Sequence, residues 1–305
     1  MISIVSKEIE FSRLYKRLNI LSFFLVILSV AMLFIKGLNL GVDFKGGTLI
    51  EIRTENNQVR ISDIRQSFLK MNIGDVTVKK FGNDKDYLVK IELSDNKNSD
   101  FIEKINNQLS TDLGSVVNFR RVENVGPKVS NELLKDGLLA IILALGAMLF
   151  YIWIRFEWQF SLGAIIAIIH DVIITLGFFS FLSYEINLSI VAAVLTIVGY
   201  SMNDTVVIFD RIRENLRKYS KITIIQISNI STNETLSRTL ITSITTLLAL
   251  CSIFFFGGEI LKGFSFAMIL GVVIGTYSSI FVATPILNYT KVTQKTVLKE
   301  DSELN

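Results

Sequence analysis

The chain has 305 residues, half of them hydrophobic, with a formal net charge of +3, one histidine and one cysteine. Its mean hydropathy of +0.48 is that of a polytopic membrane protein rather than a soluble globular one. The lone His170 and Cys251 both lie in apolar runs, which excludes an internal disulfide, a cysteine metal cluster and any Ser/His/Asp or Cys/His hydrolase site. Neither an enzyme nor a bound cofactor or metal is expected.

Six apolar runs, at 18–36, 137–154, 160–182, 188–209, 236–256 and 263–287, are each long enough to cross a hydrocarbon core of about 30 Å. The first follows an arm, 1–17, that carries Lys7, Arg13, Lys16 and Arg17. Ser29-Val30-Ala31 loosely fits a signal-cleavage site, but the apolar run continues through Ile35, so an uncleaved anchor is expected.

Residues 37–136 form an insert large enough for one small domain. It opens with Gly41-Val42-Asp43-Phe44-Lys45-Gly46-Gly47-Thr48. This stretch has the glycines of a phosphate loop but lacks the Gly-Lys-Ser/Thr ending, so the glycines are read as shaping a tight passage into the domain. Thr48–Arg53 alternates as a strand, Ile61–Met71 is helical with Ser62 or Asn57 near its start, and Val76–Phe81 alternates again. Gly82-Asn83-Asp84 is a turn, Tyr87–Leu93 a strand, Phe101, Ile105 and Leu109 mark a helix ending near Gly114, and Val116–Val125 closes the set. The order βαββαβ predicts a ferredoxin-like domain. Val125-Gly126-Pro127-Lys128-Val129-Ser130 forms the way out. The fold class is therefore an α-helical polytopic membrane protein with six transmembrane helices and a small α+β ferredoxin-like extracytoplasmic domain between spans one and two.

The later loops are short. Arg155 lies in the 155–159 turn, beside Tyr151, Trp153 and Trp158, an aromatic belt at one interface. Arg211, Arg213, Arg217, Lys218 and Lys221 follow the fourth span, and Lys291, Lys295 and Lys299 lie in the tail, 288–305. The opposite loops carry no base in 183–187 and only Lys262 near 257–262, so the positive-inside rule places both termini in the cytoplasm. The basicity thus reflects topology and membrane lipid rather than a nucleic acid. Cys251 reads as a small buried hydrophobe. In the sixth span Gly271 and Gly275, followed by Ser279, permit close packing, as a fixed packing face or as a moving helix contact.

Asp204 is the residue that composition does not explain. It lies in Gly199-Tyr200-Ser201-Met202-Asn203-Asp204-Thr205, about 24 Å along the fourth span at 1.5 Å per residue. An acid in a span costs about 2.5–3.5 kcal/mol, so ion or proton handling is the expected role, against a structural hydrogen bond to a neighbouring helix. Arg238, at the start of the fifth span, lies at a similar depth, where snorkelling and an ion pair with Asp204 are both open. His170 and Asp171 are mid-span neighbours pointing about 100° apart, so they are not expected to form a dyad; each is a helix contact or a relay, as is Asn203. Asp210, Arg211 and Arg213 read as interfacial charges that fix topology and form local salt bridges, with gating or a partner contact as the other reading.

The glycine motif at 41–48, Val125-Gly126-Pro127, Ile169-His170-Asp171-Val172-Ile173-Ile174-Thr175, Gly199–Asn215 and Arg238-Thr239-Leu240-Ile241-Thr242-Ser243 together resemble the SecF family. Its members are the smaller membrane subunits of the bacterial SecD–SecF export factor, within the resistance-nodulation-division superfamily. The resemblance implies a SecD partner contributing a second six spans and association with the SecYEG channel, with YajC and YidC as further partners. It implies an inner-membrane location, exported unfolded chains as substrate, and the proton gradient as energy source for late steps of export. The family's intramembrane Asp falls on Asp204 and its functional Arg on Arg238. The rival reading is a proton-coupled half-transporter for a small molecule or lipid, and a third is a passive scaffold.

Overall fold

The computed structural model describes residues 9–55, 59–80, 83, 85–92, 99–219, 221–294 and 296–297. The expectations at Lys7, Asn57, Phe81, Gly82, Asp84, Leu93, Lys295 and Lys299 lie outside these residues. Elements follow in the order α1 (Ser12–Ile35), β1 (Asn39–Leu40), α2 (Val42–Lys45), β2 (Gly47–Thr54), α3 (Ile61–Met71), β3 (Val76–Lys80), β4 (Asp86–Ile91), α4 (Ser99–Leu113) and β5 (Val117–Val125). Then come α5 (Pro127–Arg155), α6 (Trp158–Leu182), β6 (Glu185–Ile186), α7 (Leu188–Lys218), α8 (Ile224–Phe256), α9 (Glu259–Ser278), a π-helical turn (Ser279–Ala283) and α10 (Thr284–Tyr289). The chain divides into two compact units. One takes in residues up to Asn39, Ala140–Tyr184 and those from Ser189 onward; the other takes in Leu40–Leu139 and Glu185–Leu188.

The smaller unit is ferredoxin-like. Its four strands lie in the order β3-β4-β2-β5, all antiparallel, with α3 and α4 supplying the helical layer. Ile50, Ile52, Ile64, Phe68, Val89 and Leu109 are almost fully buried between the layers, as the period-2 and period-3.6 patterns require. α3 starts where expected, with Ser62 in its first turn; its N-cap is Arg60, whose backbone N–H donates to Asp63 Oδ2 at 3.1 Å. Gly47 must be glycine, since φ is +133° and a Cβ would lie 2.5 Å from the Ile91 carbonyl oxygen. On β2 and β4, Arg53 donates from Nε and Nη2 to both oxygens of Asp86, each at 2.6 Å.

Among the described residues, six helices are long and apolar enough to cross a membrane. In α6, α7 and the Ile260–Tyr289 segment half of the spanning window is buried within the chain; in α1, α5 and α8 it is 11%, 6% and 17%. The first group is therefore the centre of the bundle. The fourth and fifth helices exceed the apolar runs that predicted them. α7 continues to Lys218 and α8 starts at Ile224, so Arg211, Arg213, Arg217 and Lys218 are helical rather than in a loop. Ile212, Leu216 and Ile227 are buried there, which keeps the helices packed after the charges begin. Thr223 caps α8 in a capping box with Gln226, a sequence signal that hydropathy overlooks. Likewise α5 begins at Pro127, a favoured first helical residue, ten residues before the predicted start of the second span at 137. Cys251 is half-buried rather than buried.

Small residues set the closest approaches. A Cβ at Gly271 would fall 2.2 Å from Ile197 Cγ1, and one at Gly275 would fall 2.9 Å from Ser201 Cβ, so α9 lies directly against α7. On α6, Gly177 meets Ser29 of α1 in the same way. The π-helical turn precedes Pro285, which lacks the N–H that would continue the helical ladder.

Two outcomes follow from this packing. Gly271→Ala overfills the α7–α9 contact and lowers stability by about 1–3 kcal/mol, read as the unfolding midpoint in detergent; adding Ile197→Ala restores part of the loss, and an unchanged midpoint in the single variant contradicts the contact. In the smaller unit, the hydrogen bonds and charge of Arg53 hold the Asp86 carboxyl below the ordinary carboxylate range. A depressed folded pKa contributes stability that is fully present above the ordinary Asp value and lost as pH falls through the lowered one. Resistance of the β2–β4 peptides to proteolysis is therefore expected to fall on acidification, and to fall less with pH in Asp86→Asn, which starts lower.

Candidate functional site

Among the six spanning segments, α7 is the least hydrophobic, with a mean hydropathy of 1.6 over its best window. Its polar residues are not scattered. Ser201, Asp204, Thr205 and Ile208 follow the helical repeat on the face turned to the bundle centre, and all four are buried.

Asp204 is 2% exposed. Thr276 of α9 donates to its Oδ2 over 3.4 Å, and the Thr276 hydroxyl also meets Ser243 Oγ of α8 at 2.8 Å. Arg238, exposed on α8, exerts a Coulomb attraction on Asp204 but does not close on it as an ion pair. Among the described residues Asp204 thus has one long hydroxyl contact and an unclosed guanidinium nearby, where a structural carboxylate would have two or three short bonds. A carboxyl held this loosely can exchange a proton.

A second acid is bound quite differently. Asp171 on α6 is 1% exposed and accepts from Ser201 Oγ at 2.5 Å and Ser278 Oγ at 2.8 Å through Oδ2. Its Oδ1 lies 2.8 Å from His170 Nδ1. The expectation that adjacent residues on a helix cannot pair is overturned. Nδ1, bonded to Cγ, is the ring nitrogen nearer the backbone, so a ring turned sideways spans the angle between neighbouring side chains. The other face of His170 stacks on Tyr277, whose hydroxyl bonds to Ser22 and to the Leu18 carbonyl. Asn203, by contrast, is exposed on α7 and makes no side-chain hydrogen bond among the described residues, so it belongs to neither cluster.

Two further motifs make contacts within the chain. Arg213 pairs with buried Glu157 at 3.2 Å, Arg155 with Asp210 at 3.0 Å, and both guanidinium groups lie over the Phe156 ring at 5.1 and 5.4 Å. Arg211 bonds Glu234 of α8 at 2.7 Å. The far end of α7 is therefore pinned to the α5–α6 turn and to α8, as the local salt bridges expected of Asp210, Arg211 and Arg213. In the smaller unit, Gly41 N–H donates to the Ile186 carbonyl and Asp43 Oδ2 accepts from the backbone N–H of Leu188 at 2.9 Å, while Phe44 is buried and Gly46 ends α2 at φ +78°. Gly126 accepts at its carbonyl from Ser130 N–H across the first turn after Pro127.

Sequence reasoning did not single out Ser201, Ser243, Thr276, Tyr277 or Ser278. The available signal was spacing: Ser201 and Thr205 share a helical face, and hydroxyls recur at 276, 278 and 279.

The family model for the C-terminal part of the protein export membrane proteins SecD/SecF matches residues 105–293, and the model for the SecD/SecF GG motif matches residues 31–58. The protein translocase subunit SecF of Rickettsia bellii is 46% identical over 250 residues, 82% of each chain. Those of Desulfurispirillum indicum and Vibrio alginolyticus are 42% and 45% identical, over 92% and 91% of this chain and 91% and 88% of theirs. The crystal structure of SecDF, a translocon-associated membrane protein from Thermus thermophilus, superposes with a TM-score of 0.84 at 33% identity. That match covers 94% of this chain and 39% of the longer one. With two family models, relatives matched over most of their length and the same membrane fold in agreement, this chain belongs to the SecF family of protein translocase subunits, the membrane-embedded transport factors of the Sec pathway.

Proposed function

We propose that this chain, paired with SecD and associated with SecYEG, uses the proton motive force to promote late steps of protein export across the cytoplasmic membrane. The observation behind this reading is the state of Asp204: buried in the centre of the bundle, held by one 3.4 Å hydroxyl contact, with Arg238 near enough to attract it and not closed on it. In this reading Arg238 and the proton compete for one carboxylate. When the helices bring Arg238 in, Asp204 is held as the anion; when they part, it takes a proton. With both termini in the cytoplasm, as the distribution of Lys and Arg supports, the ferredoxin-like unit faces the exported chain on the opposite side. The Thermus chain is more than twice as long as the part matched, which supports a separate SecD subunit as the source of the remaining spans.

The energy is adequate. Moving one charge through 100 mV yields about 2.3 kcal/mol, several times RT, which is enough to bias the outward movement of a sliding polypeptide. Proton is favoured over sodium because the carboxylate has one hydroxyl neighbour, where a cation needs several oxygens.

The test is secretion of a precursor protein in cells depleted of their own SecF and supplied with this chain and its SecD at matched abundance. Asp204→Asn is expected to lose the gradient-dependent part of export, a fall of at least tenfold, and Arg238→Ala to fall similarly while Arg238→Lys keeps a measurable fraction. Wild-type rates in Asp204→Asn would leave the chain a passive scaffold.

A further inference from the structure

Asp171 is an intramembrane acid that the coupling scheme does not use. Of Asp171 and Asp204 it is the more completely satisfied: Ser201, Ser278 and His170 fill it at 2.5, 2.8 and 2.8 Å, against one contact of 3.4 Å at Asp204. Its partners come from three helices, with His170 and Asp171 on α6, Ser201 on α7 and Ser278 on α9. A carboxylate that already accepts this many bonds is poorly suited to picking up and giving away a proton.

Its position suggests a different task. Ser201 lies three residues before Asp204 on α7, on the same face. Ser278 lies two residues after Thr276, the residue that reaches Asp204 from α9. Around the carboxylate, Thr205 Oγ1 meets Ser279 Oγ at 2.8 Å and the absence of a side chain at Gly275 lets Ser201 approach the α9 backbone. Asp171 therefore ties together the two turns whose axial alignment decides whether Thr276 meets Asp204. A slip of one helical turn, about 5.4 Å, would break every one of these bonds.

We propose that Asp171 is a positioning residue: a fixed acceptor on α6 that holds α7 and α9 in the register that presents Thr276 to Asp204, and that does not itself carry the transported proton. The inference rests on the reading of Asp204 as the coupling group.

Asparagine separates the two roles. It has the shape of aspartate, its Oδ1 can accept from both serines, and its Nδ2 can donate to His170 Nδ1 in the alternative tautomer, yet it cannot carry a proton. Alanine removes the acceptor altogether. The chain with its SecD is assayed for gradient-dependent export, and for the rate at which a hydrophobic carbodiimide modifies Asp204 in the folded, membrane-inserted fraction, read by peptide mass. Asp171→Asn is expected to stay within twofold of wild type in both. Asp171→Ala is expected to lose export at least tenfold and to change the Asp204 modification rate at least fivefold. Because alanine risks misfolding, Ser201→Ala/Ser278→Ala, which keeps the carboxylate, is expected to change the modification rate in the same direction. A fall in Asp171→Asn to the export level of Asp204→Asn would make Asp171 a proton carrier and overturn the proposal, as would a wild-type modification rate in the double serine variant. If Asp204→Asn itself exports normally, the coupling reading fails, and the modification rates still decide whether Asp171 sets the register.

Discussion

A carboxylate inside a hydrocarbon slab has to find its hydrogen-bond donors within the protein, because no water is available to supply them. Much of the membrane bundle can be understood from that constraint. Among its described residues Asp171 and Asp204, on consecutive helices, are such acids, and the bundle treats them in opposite ways. Asp171 is surrounded by donors and becomes part of the packing. Asp204 is left with one long hydroxyl contact and a guanidinium nearby that does not close on it. A fold with only the first kind would be a rigid bundle; one with only the second would have nothing to hold the loosely bound group in place.

Delivering hydroxyls to a buried acid requires backbones that come close, and this explains the distribution of small residues. Gly271 and Gly275 bring α9 onto α7, where Ser201, Thr205, Thr276, Ser278 and Ser279 form the polar seam. The π-helical turn at Ser279–Ala283 begins at the end of that seam, with Thr284 Oγ1 bonding back to the Ser279 carbonyl. At the other end of α7, the Arg213–Glu157 and Arg211–Glu234 pairs fix the helix to its neighbours. The helix carrying Asp204 is thus anchored beyond the acid and registered beside it.

Much of this was legible in the sequence. Apolar run length marked all six helices, alternating and helical periods marked the ferredoxin-like unit, and the cost of an acid in a span marked Asp204. What was not legible has a physical reason. Serine and threonine in a membrane helix can satisfy themselves on the carbonyl four residues back, as Thr196, Thr245 and Ser252 do, so the sequence does not distinguish these from Ser201 and Ser278, which turn to an acid on another helix. The His170–Asp171 contact depends on one ring rotation, which helical spacing does not report. Asn203, one residue from Asp204, looks equally polar in sequence and faces the other way. Hydropathy also ended the fourth span at the first charges, whereas Ile212 and Leu216 carry the helix on.

The central claim is that Asp204 changes its protonation state as the gradient does work. Infrared difference spectroscopy on vesicles containing this chain with its SecD, recorded before and after a proton gradient is imposed, tests it directly. The account predicts a protonated-carboxyl stretch that changes with the gradient in wild type, vanishes in Asp204→Asn and persists in Asp171→Asn. A gradient-dependent band that survives in Asp204→Asn, or no band in wild type under conditions where export proceeds, would contradict it.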